Sequence, residues 1–116
     1  MRINIKNGAS LCGLKLQMRR VIVVTGEEFE TSGIPFVITS GTDGEHGLAS
    51  MHYYGYALDF RTINQVTGAP YLPSAQMAHV VSAIAEKLGE QYYVCLESNH
   101  LHIHFLYAEA VKAERI

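Results

Sequence analysis

Leu14, Met18, Val21, Ile22, Thr25 and Phe29 recur at three- and four-residue spacings, which puts them on one face of a helix over about Leu11 to Glu30. The β-branched run Val21-Ile22-Val23-Val24 pulls toward a strand instead. Gly33 and Pro35 end the element. Phe36 to Ser40 reads as a short strand, and the three glycines of Gly41 to Ser50 make a loop. From Tyr56 to Thr62 the pattern alternates, with Tyr56, Leu58 and Phe60 facing one way and Ala57, Asp59 and Arg61 the other. Ile63 to Pro73, with Gly68, Pro70 and Pro73, is a second loop. Ser74 suits the N-cap of a second helix to about Leu88, whose apolar stripe is Met77, Val80, Val81, Ile84 and Leu88, and Gly89 closes it. Gln91 to Glu97 and His100 to Tyr107 read as two strands joined by Ser98-Asn99, or as one long kinked strand. The tail Ala108 to Ile116 is a short helix or a frayed end. The expected fold class is α+β, with two helices packed on a small antiparallel sheet of three or four strands.

Nothing in the pattern divides the chain, so residues 1–116 are expected to form a single domain. With 48% hydrophobic and 17% charged residues, the balance is that of a globular chain. Nine Lys+Arg against 11 Asp+Glu give a net charge of −2, and no basic cluster offers a nucleic-acid footprint. The longest apolar run is Val21 to Val24, far short of a membrane span. The segment Met1 to Lys6 lacks the apolar region of a signal peptide, so the expectation is a protein made in the cytoplasm. Cys12 and Cys95 are too few for a disulfide framework, and both are expected to be reduced and buried.

Chemistry enters with histidine. Three of the six histidines stand in His100-Leu101-His102-Ile103-His104, and in a strand all three line one side while the apolar residues pack on the other. Neutral imidazole is a common ligand for zinc. Partners for an ion lie in Ser50 to Asp59, where His52 ends the loop, Gly55 permits a sharp bend, and Asp59 projects from the strand among apolar neighbours. A carboxylate buried there needs compensation, from a metal or from Arg61. Two histidines and one aspartate leave a fourth zinc position open for water, as in a catalytic site. Such water has a pKa of roughly 7, and a carboxylate must then move its proton. Glu97, just before the histidine run, is the candidate base.

The string Ser50-x-His52-x-x-Gly55-x-Ala57-x-Asp59, followed by Glu97-x-x-His100-x-His102, resembles the zinc D-Ala-D-Ala carboxypeptidase and L-Ala-D-Glu endopeptidase family. That family shares the hedgehog-domain fold and includes phage endolysins. The resemblance spans roughly Leu14 to Tyr107. It implies a zinc-dependent peptidase acting on peptidoglycan stem peptides, with His52, Asp59 and His102 as the metal ligands. It also implies Glu97 as general base and His100 beside the site, polarising the scissile carbonyl. Reading His104 as the third ligand instead makes His102 the neighbour and leaves Glu97 farther away. Some relatives carry an acid where Asn99 stands. Carboxypeptidase members hold the substrate carboxylate with an arginine after the early strand, and Thr39 to Asp43 contains none, so Arg61 is the candidate for that role. His46 is a second candidate substrate contact, against the plainer reading of a solvated loop histidine. Ser50 divides between supporting a ligand and plain loop, Asp43 is a turn-former, His79 is surface, and Met18 and Met77 are core. Tyr53, Tyr54 and Tyr56 either wall the cleft or pack in the sheet. The family reading implies action on the cell wall after release by a route this chain does not encode. Two other readings stand beside it. One is a non-catalytic zinc-binding phage structural or interaction domain of the same fold. The other is a metal-free histidine surface that responds to pH.

Overall fold

The structure is a computed structural model and describes residues 2–43 and 55–106. Among these, the element order is β1 (Asn4–Ile5), α1 (Gln17–Thr31), β2 (Val37–Ser40), β3 (Ala57–Arg61), α2 (Ser74–Leu88), β4 (Tyr92–Leu96) and β5 (His100–Phe105). The five strands form one sheet in the order β1-β2-β3-β5-β4. The α+β class holds, and the sheet is mixed where an antiparallel one was expected. β1 pairs in parallel with β2, and every other pairing is antiparallel. Two residues are too few for a readable period, which is why β1 leaves no signal in the sequence. Its parallel pairing follows from α1, which carries the chain back across the sheet before β2 begins.

α1 starts at Gln17 and not at Leu11. Gly13 takes a φ of +79° and the Lys15 amide donates to the Gly55 carbonyl at 2.9 Å, so the segment before the helix is built of turns. Leu11 and Leu14 still pack against the core from these turns. At the far end the chain stops as Gly33 and Pro35 predict. The Gly33 amide (φ +72°) donates to Glu30, and the Ile34 amide donates to Phe29 at 2.8 Å, the paired bonds of a Schellman end. α2 runs to Leu88, but its N-cap is Pro73, so Ser74 is already helical and makes no side-chain cap.

Both helices cover one face of the sheet. The core between them holds Met18, Val21 and Phe29 of α1, Met77, Val80, Ile84 and Leu88 of α2, and Ile38, Leu58, Phe60, Leu101, Ile103 and Phe105 of the strands. Phe36 stacks on Phe60 at 5.4 Å between centroids, and Phe29 meets Phe36 edge-on at 5.9 Å. Each such pair adds about 1 kcal/mol beyond burial. Tyr56 is fully buried and stacks on Phe105, so it packs the core. Tyr92 anchors β4 to α1 through its hydroxyl, which donates to the Gln17 carbonyl at 2.9 Å.

The expectation of two buried thiols is corrected. Cys12 is exposed in the turns before α1, and Cys95 is half-buried on the open face of β4. Both are free. Cys95 faces away from the helices because Val94 takes the inward position of this strand. Met18 and Met77 are core and His79 is exposed, as expected. Asp43 organises its turn by accepting from the amides of Ser10 at 2.8 Å and Gly41 at 2.7 Å. Among the described residues no helix is long and apolar enough to cross a membrane. The expected helix or frayed tail over residues 108–116 lies outside the described residues.

Candidate functional site

The face of the sheet away from the helices carries the polar set. In β3 the inward Leu58 and Phe60 leave Asp59 and Arg61 on this face, and in β5 the inward Leu101, Ile103 and Phe105 do the same for the three histidines. Antiparallel register then sets the neighbours: Asp59 lies opposite His102, Arg61 opposite His100, and Ala57 opposite His104. On the other side of β5, Cys95 lies opposite His102 and Tyr93 opposite His104.

These pairings become contacts. Asp59 Oδ1 is 2.9 Å from His102 Nδ1, and His100 Nε2 stands 3.9 Å from the same oxygen. His102 Nε2 lies 2.8 Å from His104 Nδ1. A carboxylate only accepts, so His102 donates from Nδ1. In a neutral ring Nε2 is then the acceptor, and the proton in the second contact belongs to His104 Nδ1. The row therefore runs from His104 through His102 to Asp59. The Asp59 side chain is 15% exposed, and the His102 imidazole is one of its hydrogen-bond partners. Tyr93 stacks on the His104 ring at 4.9 Å between centroids and holds it against the sheet. A side-chain hydrogen bond with Cys95, with that thiol's charge, burial and Glu97 adding to it, raises the Tyr93 phenol above its usual value.

At the end of the β4–β5 hairpin, the Glu97 amide donates to the His100 carbonyl at 2.8 Å, which closes Ser98-Asn99 as a two-residue turn. The two-strand reading of this region holds, and the single kinked strand does not. Glu97 Oε1 accepts from the Cys95 thiol at 3.4 Å. His100 Nδ1 is 2.7 Å from Asn99 Oδ1. Beside His100 opens a cleft of about 330 Å³, lined among others by Lys6, Thr39, Asp59, Arg61, Asn99 and His100. Two cations and two amides, with Gln65 the second, make it suited to anionic or hydrogen-bonding groups.

Asp59, His100, His102 and Arg61 thus meet on one face, with Glu97 at its hairpin end. His46, Ser50, His52, Tyr53 and Tyr54 lie outside the described residues. The bend expected at Gly55 is present, with a φ of +80°. Among the described residues no group of three His, Cys, Asp or Glu side chains is disposed to hold a metal ion. Asp59 and His102 carry a carboxylate oxygen and an imidazole nitrogen, the donor types zinc prefers, but both His102 nitrogens are engaged here, so an ion would have to displace the contact to Asp59 or the contact to His104. The sequence does not point to Lys6, Tyr93 or Cys95 as parts of this face, while Asn99 stands where some relatives of the resembled family carry an acid. The alternation of Tyr93, Cys95 and Glu97 carries the signal that the three share a side. Comparison of the chain with protein-family models, with curated proteins and with solved structures gives no match.

Proposed function

We propose that this protein is a zinc-dependent peptidase acting on peptidoglycan stem peptides. The observation that supports the reading most directly is the convergence of Asp59 and His102 from two neighbouring strands, 2.9 Å apart, beside a polar cleft. With His52, they would complete a three-residue ligand set. When bound, zinc polarises an amide carbonyl and brings the pKa of water to roughly 7. Glu97 takes the proton of the attacking water at a carboxylate oxygen and returns it to the leaving amine nitrogen. With Asn99 Oδ1 accepting from Nδ1, His100 offers Nε2 to the cleft and, in its cationic form, donates from it to the carbonyl oxygen as negative charge develops. Arg61 faces the same cleft and can hold a substrate carboxylate.

A second reading, a non-catalytic zinc-binding phage structural or interaction domain, is favoured by one observation. The Glu97 carboxylate rests on Cys95. Digestion of purified peptidoglycan, with mass analysis of the fragments, separates the two. Release of terminal D-Ala identifies a carboxypeptidase, and cleavage after the first L-Ala an endopeptidase. No released fragment from zinc-loaded protein refutes the peptidase reading.

A further inference from the structure

β4 is the outermost strand on its side of the sheet. It bonds to β5 through the Gln91 carbonyl, which accepts from Leu106, and through the Glu97 amide. Antiparallel alternation therefore turns the backbone groups of residues 91, 93, 95 and 97 toward β5 and those of Tyr92, Val94 and Leu96 outward. The Tyr92 amide donates to Gly89 at 3.3 Å. Among the described residues, no strand lies beyond Val94 and Leu96. The opposite edge, β1, has only two residues, and Arg2 and Lys6 flank it. β4 is longer, at five residues, and its flanking charges Glu90 and Glu97 stand outside the strand. Its sequence, Tyr-Tyr-Val-Cys-Leu, contains no charge, proline or glycine, and Tyr93 and Leu96 are 48% and 41% exposed. Sheet edges that stay unpaired are normally guarded by one of these devices.

We propose that β4 is a dimer edge, on which a second copy of this chain pairs antiparallel about a two-fold axis at Val94. The middle residue of the strand is one of those whose backbone faces outward, so the axis falls where Val94 and the partner's Val94 exchange both bonds. Tyr92 then stands opposite the partner's Leu96, and Gln91 opposite the partner's Glu97. No like charges meet, and the surface is complementary to itself, as a two-fold interface requires. Pairing joins the two five-stranded sheets, with both histidine faces on the same side. The inference is independent of the proposed activity.

Sedimentation equilibrium on the full chain tests it, together with hydrogen–deuterium exchange across a protein dilution series. The expected result is a monomer–dimer equilibrium in which the Val94 and Leu96 amides become protected as concentration rises. Gln91→Lys, which places a cation opposite the partner's Glu97, tightens the dimer at low salt. Gln91→Glu loosens it, each by about threefold or more. Gln91 is exposed and only its backbone carbonyl binds β5, so neither variant disturbs the fold. A protein that stays monomeric at high micromolar concentration overturns the proposal. So does a dimer in which the Val94 and Leu96 amides exchange as fast as in the monomer, or one indifferent to both Gln91 variants.

Discussion

Asp59 and His102 are direct cross-strand partners, and their side chains close to 2.9 Å on the face the helices leave open. The pairing fixes the imidazole orientation through a carboxylate. If both groups hold zinc, Asp59→Asn removes the charge while keeping the shape. Zinc affinity is then expected to fall by about 10- to 100-fold, read by competition with a chromogenic chelator. His79→Ala, an exposed α2 position, leaves it unchanged.

Under the proposed peptidase reading, Glu97 is the residue that separates catalysis from metal binding. It is exposed at the hairpin end, and its backbone bond to His100 does not depend on the side chain. Glu97→Ala is expected to keep zinc and to change stability by no more than about 0.5 kcal/mol. Peptidoglycan hydrolysis falls by at least about 100-fold. Intact hydrolysis in this variant would refute the assigned base.

Two period-2 patterns make the histidine face of the sheet legible in the sequence. Alternation around Asp59 and through His100 to His104 assigns every one of these side chains to its observed side. The register that sets Asp59 against His102, and not against His100 or His104, depends on how β3 and β5 pair, and no local pattern encodes it. The apolar spacing extends the predicted helix to Leu11, whereas α1 begins at Gln17. Leu11 and Leu14 are drawn to the core as helix residues would be, but the turns around Gly13 deliver them. Lys6 joins the cleft through β1, a strand too short to announce itself.

Gly55 is required for two reasons at once. Its φ of +80° disfavours any side chain, and a Cβ there would stand 2.2 Å from the Gly13 carbonyl oxygen. That contact is backbone on both sides, so neither part can yield easily. Gly55→Ala is expected to cost at least about 2 kcal/mol, a fall in Tm of roughly 8 °C. Gly68→Ala is the control. It shares the positive φ (+73°) but has nothing within 4 Å of the added carbon, so its loss is smaller.

Tyr92 links pH to stability. Burial raises its phenol above the usual 10.0, with Arg20 opposing. The neutral form is therefore favoured in the fold. Its contribution is complete below about pH 10 and is lost as pH rises from there through the higher folded value. Tyr92→Phe removes the bond to the Gln17 carbonyl and is expected to lower stability by about 1 kcal/mol at neutral pH. Phenylalanine does not ionise, so the gap between the variant and the parent narrows above pH 10. Thermal melts across the alkaline range read this convergence. A gap that stays constant would mean that Tyr92 ionises equally in both states.

Thr25 is the one described side chain whose buried polar atom, Oγ1, has no hydrogen-bond partner. It lies fully buried on the α1 stripe between Val21 and Phe29, where the sequence pattern called for an apolar residue. Burying an unpaired hydroxyl is unfavourable by about 1 kcal/mol or more. Thr25→Val keeps the branched shape and removes that penalty. Valine is also no worse than threonine in a helix, so nothing local opposes the change. The expected outcome is a gain of about 1 kcal/mol, seen as a rise in Tm of roughly 4 °C. Thr25→Ser is the informative contrast, because it keeps the hydroxyl and deletes the methyl that packs the core. It is expected to lose about 1 kcal/mol, placing the two variants on opposite sides of the parent. Should valine destabilise instead, the hydroxyl must have a partner, and the most accessible one is a carbonyl of the preceding helical turn.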